Sequence, residues 1–110
     1  MCGRFSTAKL NPFLKKFKLK KIPQEFKSRY NICPSQNTAV ITNQSPDQIQ
    51  FYRWGFVPHW AKDIKIGFKM INARAETITE KPSFKKPFQT QRCLVLTDGF
   101  YEWHSLKDTA

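Results

Sequence analysis

The chain has 110 residues and a mass of 13.0 kDa; 40% of its residues are hydrophobic and 15% are aromatic. This composition excludes a disordered basic tail, and the length supports one domain or part of one. The formal net charge of +11 favours a polyanionic partner, of which nucleic acid is the commonest inside a cell.

The sequence argues against a membrane protein, a disulfide-rich protein and a metal-binding protein. No apolar run approaches the roughly 18 residues that cross a bilayer, and no signal-like apolar stretch follows Met1. We therefore expect a soluble cytoplasmic protein, nucleoid-associated if bacterial, with no membrane partner. The cysteines Cys2, Cys33 and Cys93 are odd in number and form no CxxC pair. Reduced thiols are expected, with no disulfide framework, no metal site and no cofactor.

Most of the positive charge lies in the first 29 residues. Glu25 is the acid of this segment, and its basic residues are Arg4, Lys9, Lys15, Lys16, Lys18, Lys20, Lys21, Lys27 and Arg29. Two interpretations stay open at this point: a solvated helix face, or a face that binds phosphates.

The first predicted helix covers residues 11–18. Asn11 followed by Pro12 is typical of an N-cap and a first helical turn. The apolar residues that follow recur at the spacing of one helical face: Leu10, Phe13, Leu14 and Phe17. The pattern predicts an amphipathic helix that buries these side chains and leaves its lysines in water.

Residues 38–42 and 48–56 read as two strands of a hairpin, because both are rich in β-branched and aromatic residues. Ser45, Pro46 and Asp47 between them predict the turn. The segment "VPHWAKDIKIG" has no clean period and is interpreted as a surface loop. "FKMINARAETI" is expected to begin as a strand and to become helical over residues 73–78.

A second hairpin is predicted from "RCLVLT" and "FYEW", with Asp98 and Gly99 as its tight turn. Together the elements predict an α+β fold, mostly antiparallel: a strand-rich partial barrel or sandwich with short helices. Its open sheet edges could pair with another strand, so a homodimer through these edges is one expectation.

Cys2 is the first candidate for chemistry. Methionine before a small residue is normally removed, which would leave Cys2 with a free α-amine of pKa about 8 beside a thiol of pKa about 8.5. Such a 1,2-aminothiol condenses with an aldehyde to an imine, and the thiolate then closes a thiazolidine ring. The dipeptide alone also fits an incidental second residue. Arg4, two residues on in an extended segment, could hold a phosphate on the same side as Cys2.

The motifs "MCGRF", "RYNICP", "RWGFVPHW", "INARAET" and "DGFYEW", in this order, resemble the SOS response-associated peptidase (SRAP) family. The resemblance spans nearly the whole chain but only about half of the family domain, so it implies an SRAP-like, truncated fold, with residues 1–110 forming a single partial domain. It further implies a protein that shields abasic sites in single-stranded DNA by covalent capture of the sugar aldehyde.

The resemblance implies catalytic roles for three residues. Cys2 matches the family nucleophile, and Asn72 matches the Asn of "NAR", whose amide could fix the attack geometry. Glu102 matches the Glu of "EW"; it lies between Tyr101 and Trp103, and partial burial there would suit it to pass protons. A turn Asn and a solvent-facing acid are the alternatives that the residues alone would allow.

The resemblance also implies a DNA-binding set: Arg4, Asn31, Pro34, Trp60 and Arg74. Arg74 offers a planar fork for a phosphate, although a surface ion pair is the alternative, and Trp60 offers a ring on which a base could stack. Trp54 is expected in the core, and His59 and His104 are expected at the surface or at an interface. The sequence departs from the family at Ala61, where many relatives have a second Trp, and it lacks the second-half "His-x-Arg-Met-Pro"-like motif.

Three hypotheses follow from the sequence. The first is a crosslinking sensor of abasic sites with an associated autopeptidase step that removes Met1. The second is a module that binds single-stranded DNA without a covalent bond. The third is an inactive fragment that folds by pairing with a second copy of itself.

Overall fold

The computed structural model describes residues 2–106. Its strands are β1 (Arg4–Thr7), β2 (Arg29–Ile32), β3 (Asn37–Thr42), β4 (Ser45–Arg53), β5 (Cys93–Val95) and β6 (Gly99–Tyr101). Its helices are α1 (Asn11–Lys16) and α2 (Lys85–Thr90), with a 3-10 helix over Ile64–Lys69. Within the described residues, no helix has both the length and the hydropathy needed to span a membrane.

The strands form two separate three-stranded sheets in which every pairing is antiparallel. The first sheet has the order β2-β1-β6, and the second has the order β4-β3-β5. The predicted α+β fold with mostly antiparallel strands and short helices is therefore confirmed.

The main core lies on one face of the second sheet. Successive residues of a strand point to opposite faces. Ala39 and Ile41 of β3 pack into a buried cluster with Leu10, Leu19 and others, and this cluster is covered by the apolar side of α1. The burial of Leu10 and the packing of its helical partners agree with the predicted amphipathic face; these partners are Phe13, Leu14 and Phe17.

The start of α1 differs from the prediction. Leu10 occupies the N-cap, and Asn11 is already the first helical residue, with no side-chain capping bond. Because Leu10 is fully buried, its anchoring in the core fixes where the helix begins and outweighs the capping preference of Asn11. The helix ends at Lys16, earlier than residue 18.

The first predicted hairpin is present, with a turn displaced from the predicted one. Thr42 pairs with Ser45, so the turn is Asn43–Gln44 and β4 already contains Pro46 and Asp47. The Ser45 amide donates to the Thr42 hydroxyl at 3.1 Å. Asn43 also exchanges backbone and side-chain bonds with Arg92, which tie the turn to the chain beyond α2.

The predicted second hairpin is wrong. β5 pairs with β3 in the second sheet, whereas β6 pairs with β1 in the first, so the chain crosses between sheets over residues 96–98. The crossing is held by Leu96, whose amide donates to the Ala39 carbonyl at 3.0 Å, and by Asp98, whose amide donates to Ser6 at 3.1 Å. Pairing with strands that come much earlier in the chain has replaced the local turn.

The region between β4 and β5 contains helices and turns in place of the predicted strand. Phe68 lies in the 3-10 helix, which begins after Asp63, and the Asp63 carboxylate accepts from the Lys65 amide. Residues 75–80 form turns and not a helix. The unpredicted helix α2 follows, with the Phe84 ring packed against Phe56 at 5.3 Å.

Candidate functional site

A cavity of about 610 Å³ lies between the two sheets and is lined by Cys2. Phe5 contributes one wall from β1, while Thr38 and Val40 contribute the opposite wall from the face of β3 that turns away from the core. The cavity therefore lies on the far side of the second sheet from α1.

Asn72 meets Cys2 at the rim of this cavity. The Asn72 side-chain amide donates to the Cys2 backbone carbonyl at 2.9 Å, and both residues line the cavity. Cys2 is half-buried, and its thiol lies 3.7 Å from the Arg4 carbonyl, which accepts from it. The sulfur thus lies against the start of β1 while its backbone is held by Asn72.

The segment that carries Asn72 is positioned by Trp54. The indole N–H of Trp54 donates to the Ile71 carbonyl at 3.1 Å, one residue before Asn72. The same ring packs against Phe5 with a centroid distance of 5.1 Å. Trp54 is half-buried and lines the cavity, so it is a wall of the site and not the core residue that the sequence predicted.

A close contact between two glycines supports the same segment. Gly55 has φ +120°, and a Cβ built there would lie 2.6 Å from the Gly67 carbonyl oxygen. The next amide, that of Phe56, donates to the Met70 carbonyl at 2.9 Å. The loop before Asn72 is therefore held directly against the end of β4, at a separation that only glycine at position 55 permits.

Glu102 lines the same cavity but is exposed, and it lies just beyond β6. The expectation that Glu102 is partly buried in an apolar strand is therefore wrong. The strand has already ended at Tyr101, and the neighbouring Trp103 is 75% exposed, so it does not cover the carboxylate. The cavity does bring Glu102 together with Cys2 and Asn72, which are far apart in sequence.

A second thiol, Cys93, lines the cavity as well. Partial burial raises the pKa of the Cys93 thiol, which disfavours its thiolate form. Cys93 is accordingly a weaker nucleophile than an ordinary cysteine at neutral pH.

The first predicted DNA-binding residues form a pair beside the cavity. The Arg4 guanidinium donates to the Asn31 side-chain oxygen at 3.0 Å, which joins β1 to β2. Neither residue lines the cavity, and Phe5, the next residue of β1, does. The structure therefore places Arg4 and Cys2 in different surroundings, although only Gly3 separates them.

The remaining predicted DNA-binding residues are dispersed. Trp60 is 53% exposed, with its ring edge-on to His59 at 5.0 Å. Arg74 is exposed in the loop that follows Asn72, and Pro34 is half-buried between β2 and β3. His59 and His104 are exposed, as predicted, and neither lines the cavity.

Sequence reasoning missed one polar residue of the site. Thr38 is 5% exposed, lines the cavity, and its hydroxyl has no hydrogen-bond partner among the described residues. The available signal was the alternation of β3, which places Thr38 and Val40 together on the face away from α1. Within residues 2–106, no group of His, Cys, Asp or Glu side chains is arranged to hold a metal ion.

Comparison with known proteins identifies a family model over the whole chain and relatives over most of it. The family model described as SOS response associated peptidase (SRAP) matches residues 1–110. The abasic site processing protein YoqW of Bacillus subtilis is 47% identical over 110 residues, covering 96% of this chain and 49% of the relative. The abasic site processing protein HMCES of Rattus norvegicus is 39% identical over 100 residues, covering 79% of this chain and 28% of the relative.

A solved structure shares the fold. A crystal structure of a protein from Bacteroides thetaiotaomicron superposes with a TM-score of 0.77 at 26% sequence identity, covering 94% of this chain and 49% of that one. The chain thus spans about half the length of this structure and of YoqW.

Proposed function

Because the chain belongs to the SOS response associated peptidase family, we propose that Cys2, once Met1 is removed, captures the aldehyde of an abasic site in single-stranded DNA as a thiazolidine. The observation that carries this proposal is the 2.9 Å hydrogen bond from Asn72 to the Cys2 carbonyl at the edge of a cavity that Glu102 also lines. The names of the relatives YoqW and HMCES, as abasic site processing proteins, agree with it.

The proposed reaction needs no cofactor. The Cys2 amine adds to the aldehyde carbon of the ring-opened abasic sugar, and the resulting carbinolamine loses water to give an imine. The thiolate then adds to the imine carbon, and the former imine nitrogen takes a proton. One water molecule is released overall, and new carbon–nitrogen and carbon–sulfur bonds form at a single carbon.

The residues around Cys2 have separate roles in this proposal. Asn72 fixes the Cys2 backbone, so that amine and thiol approach the same carbon from a constrained direction. Glu102, at the cavity but open to solvent, exchanges protons with the carbinolamine and its leaving water. Val40 and Phe5 give the cavity an apolar lining.

DNA would be held outside the cavity. Arg4, oriented by Asn31, offers a fixed guanidinium for a flanking phosphate, and Arg74 offers another just after Asn72. Trp60 presents an exposed ring on which a base can stack, and Pro34 adds an apolar contact. A protein that acts on DNA in this way would be found in the cytoplasm, and at the nucleoid if it is bacterial.

The autopeptidase activity belongs to the same proposal. Hydrolysis of the Met1–Cys2 peptide bond consumes one water molecule and frees the amine that the capture reaction requires. Relatives supply a further His from the half of the family domain that this chain does not span, as the family resemblance implies. The proposed activity of residues 1–110 therefore relies on the site residues that they contain, which are Cys2, Asn72 and Glu102.

The test is a denaturing gel and intact mass after mixing the protein with a single-stranded oligonucleotide that carries one abasic site. The expected product has the summed mass less one water, and the protein partner lacks Met1. Cys2→Ser should abolish the stable adduct, whereas Cys93→Ser, the matched thiol of the same cavity, should leave it. A heat-stable adduct that forms equally well with Cys2→Ser would refute the thiazolidine.

Non-covalent binding of single-stranded DNA is the second candidate. The net charge of +11 and the exposed Trp60 ring favour it. Salt-sensitive retention of the oligonucleotide with no adduct at all would select this function over capture.

Self-association is the third candidate, and the apolar surface of β5, β6 and the residues just after β6 favours it. Several apolar side chains there are about half exposed or more: Leu94, Val95, Phe100, Trp103 and Leu106. Pairing through the open sheet edges would cover them. Sedimentation velocity of the purified chain distinguishes a homodimer from a monomer.

A further inference from the structure

Five exposed lysines lie in the last turn of α1 and in the residues just after it, and the proposed capture reaction does not use them. This α1 lysine cluster comprises Lys15, Lys16, Lys18, Lys20 and Lys21, all of them exposed. Within residues 2–106 it contains one ion pair, between Lys20 and Asp47 at 3.2 Å. Glu25 lines a pocket with Lys20 and Lys21, so the acids lie near that end of the cluster, and within the described residues Lys15, Lys16 and Lys18 make no ion pair.

The cluster faces away from the capture cavity. The apolar side of α1 packs on Ala39 and Ile41, whereas the cavity is lined by Thr38 and Val40 from the opposite face of the same strand. The second sheet thus stands between the lysines and Cys2. A strand of DNA whose sugar has entered the cavity does not meet these lysines at that point.

The backbone at Lys18 shows that the helix end carries a lysine at a position suited to glycine. Lys18 has φ 53°, in the left-handed region. The Leu19 amide donates to the Leu14 carbonyl at 2.8 Å and the Lys18 amide donates to Lys15 at 3.4 Å, which is the bonding pattern of a Schellman cap. Glycine is the usual residue at this place because it has no Cβ, so the lysine occupies it against the local backbone preference.

We propose that the α1 lysine cluster is a second DNA-binding surface, which holds the phosphate backbone on the side of the protein opposite the capture cavity. The choice of DNA as the polyanion rests on the proposed function; the surface itself rests on the charge, exposure and placement of the lysines. Its binding is electrostatic and indifferent to base sequence, because lysines without a groove-reading element contact phosphates only.

Undamaged DNA tests this surface without involving the capture reaction, since it carries no aldehyde. Affinity for a short single strand and for the matching duplex is measured by fluorescence anisotropy between about 50 and 200 mM salt. The variant is Lys15→Gln/Lys16→Gln/Lys18→Gln in the full chain. We expect about a 10-fold loss of affinity, and a fall of about 2 in the magnitude of the log–log salt slope, since each lost phosphate contact removes about 0.7 to 0.9.

The matched control removes the same charge elsewhere. Lys81, Lys85 and Lys86 are exposed at and just before α2, and their replacement by Gln should change the affinity by less than about twofold. Equal losses in both triple variants would overturn the proposal in favour of a general charge effect. No loss in either would show that the cluster is a solvated helix face.

Lys18→Gly separates binding from folding. This variant relieves the left-handed backbone, so the midpoint of thermal unfolding should stay the same or rise while DNA affinity falls about threefold.

Binding to vesicles of phosphatidylcholine and phosphatidylserine is the last arm of the experiment. If the lysine variants lose vesicle binding but keep DNA binding, the surface belongs to an anionic membrane and the proposal fails. Retained capture with unchanged DNA affinity would overturn this inference alone.

Discussion

The Asn72 amide and the Cys2 carbonyl are joined at 2.9 Å although 70 positions separate the two residues in the chain. The bond is made to the backbone of the residue whose amine and thiol carry the proposed chemistry. It constrains Cys2 without occupying either nucleophile.

Loss of this bond should slow capture more than it weakens the fold. We expect Asn72→Ala to lower the rate of adduct formation by about 10- to 100-fold, since a misplaced nucleophile loses the benefit of orientation. Asn72 is exposed, so the free energy of unfolding should change by less than about 1 kcal/mol. Adduct formation is followed by quenched time points on denaturing gels. An unchanged rate would show that Asn72 does not position Cys2.

Trp54 should act on capture through Asn72. Trp54→Phe keeps a ring against Phe5 but removes the N–H that holds the Ile71 carbonyl, so we expect a slower capture rate, by about 3- to 10-fold. Its effect should be much smaller in an Asn72→Ala background, because the two residues act on one element. Trp103→Phe, at a 75% exposed indole, is the control and should leave the rate unchanged. Fully additive effects in the double variant would contradict this positioning role.

The unpartnered hydroxyl of Thr38 should cost stability. Thr38→Val replaces a buried, unsatisfied oxygen by a methyl group of similar size, and we expect it to raise the free energy of unfolding by about 1 kcal/mol. Thr7→Val is the matched control, because the Thr7 hydroxyl donates to the Leu96 carbonyl at 2.7 Å; it should lower stability by about 1 to 2 kcal/mol. Urea unfolding measures both, and a destabilised Thr38→Val protein would argue against an unpaired hydroxyl.

Asp98 should make stability depend on acid pH. The Ser6 hydroxyl at 2.6 Å and the Ala8 amide at 2.6 Å donate to its carboxylate and lower the pKa of Asp98. A lowered folded-state pKa means that the unfolded chain binds more protons in acid, so this stabilisation is present above the unfolded pKa of about 3.9 and is lost as pH falls through the folded value.

We expect Asp98→Asn to weaken that acid dependence. Urea unfolding between about pH 2 and pH 6 should show a smaller loss of stability in the variant than in the parent protein. Glu80→Gln, at an exposed turn residue, serves as the charge-matched control. Identical pH profiles for the parent and Asp98→Asn would mean that stability does not depend on the ionised Asp98 carboxylate.

The parts of the fold that could be predicted from the sequence are those fixed by neighbours in the chain. The helical face of Leu10, Phe13 and Leu14 follows from a local period, and the β3–β4 hairpin follows from two adjacent strand-forming runs. The predicted turn was placed slightly too late in the chain. Proline has no N–H to donate to a neighbouring strand, so Pro46 suggested a turn, but proline is tolerated near the start of a strand, where Pro46 lies.

The parts that could not be predicted depend on long-range pairing. Asp98 and Gly99 are a strong turn signal, but Ser6 and Ala8 of the N-terminal segment bind the Asp98 side chain and draw β6 to β1. Likewise, motif similarity indicated Asn72 as a site residue, but no spacing in the sequence predicts its contact with Cys2. The place of Trp54 as a wall of the cavity depends on the same long-range packing.

The pairing of β1 with β6 also sets a temporal order for the protein as it is synthesised. Arg4 lies opposite Tyr101, so the first strand to leave the ribosome waits for one of the last described strands before its sheet is complete. Until then the cavity that Cys2, Asn72 and Glu102 line is not assembled. In the proposed function the protein's own site removes Met1, so this step waits for β1 to pair with β6, and Met1 blocks the Cys2 amine of the nascent chain until the sheet is complete.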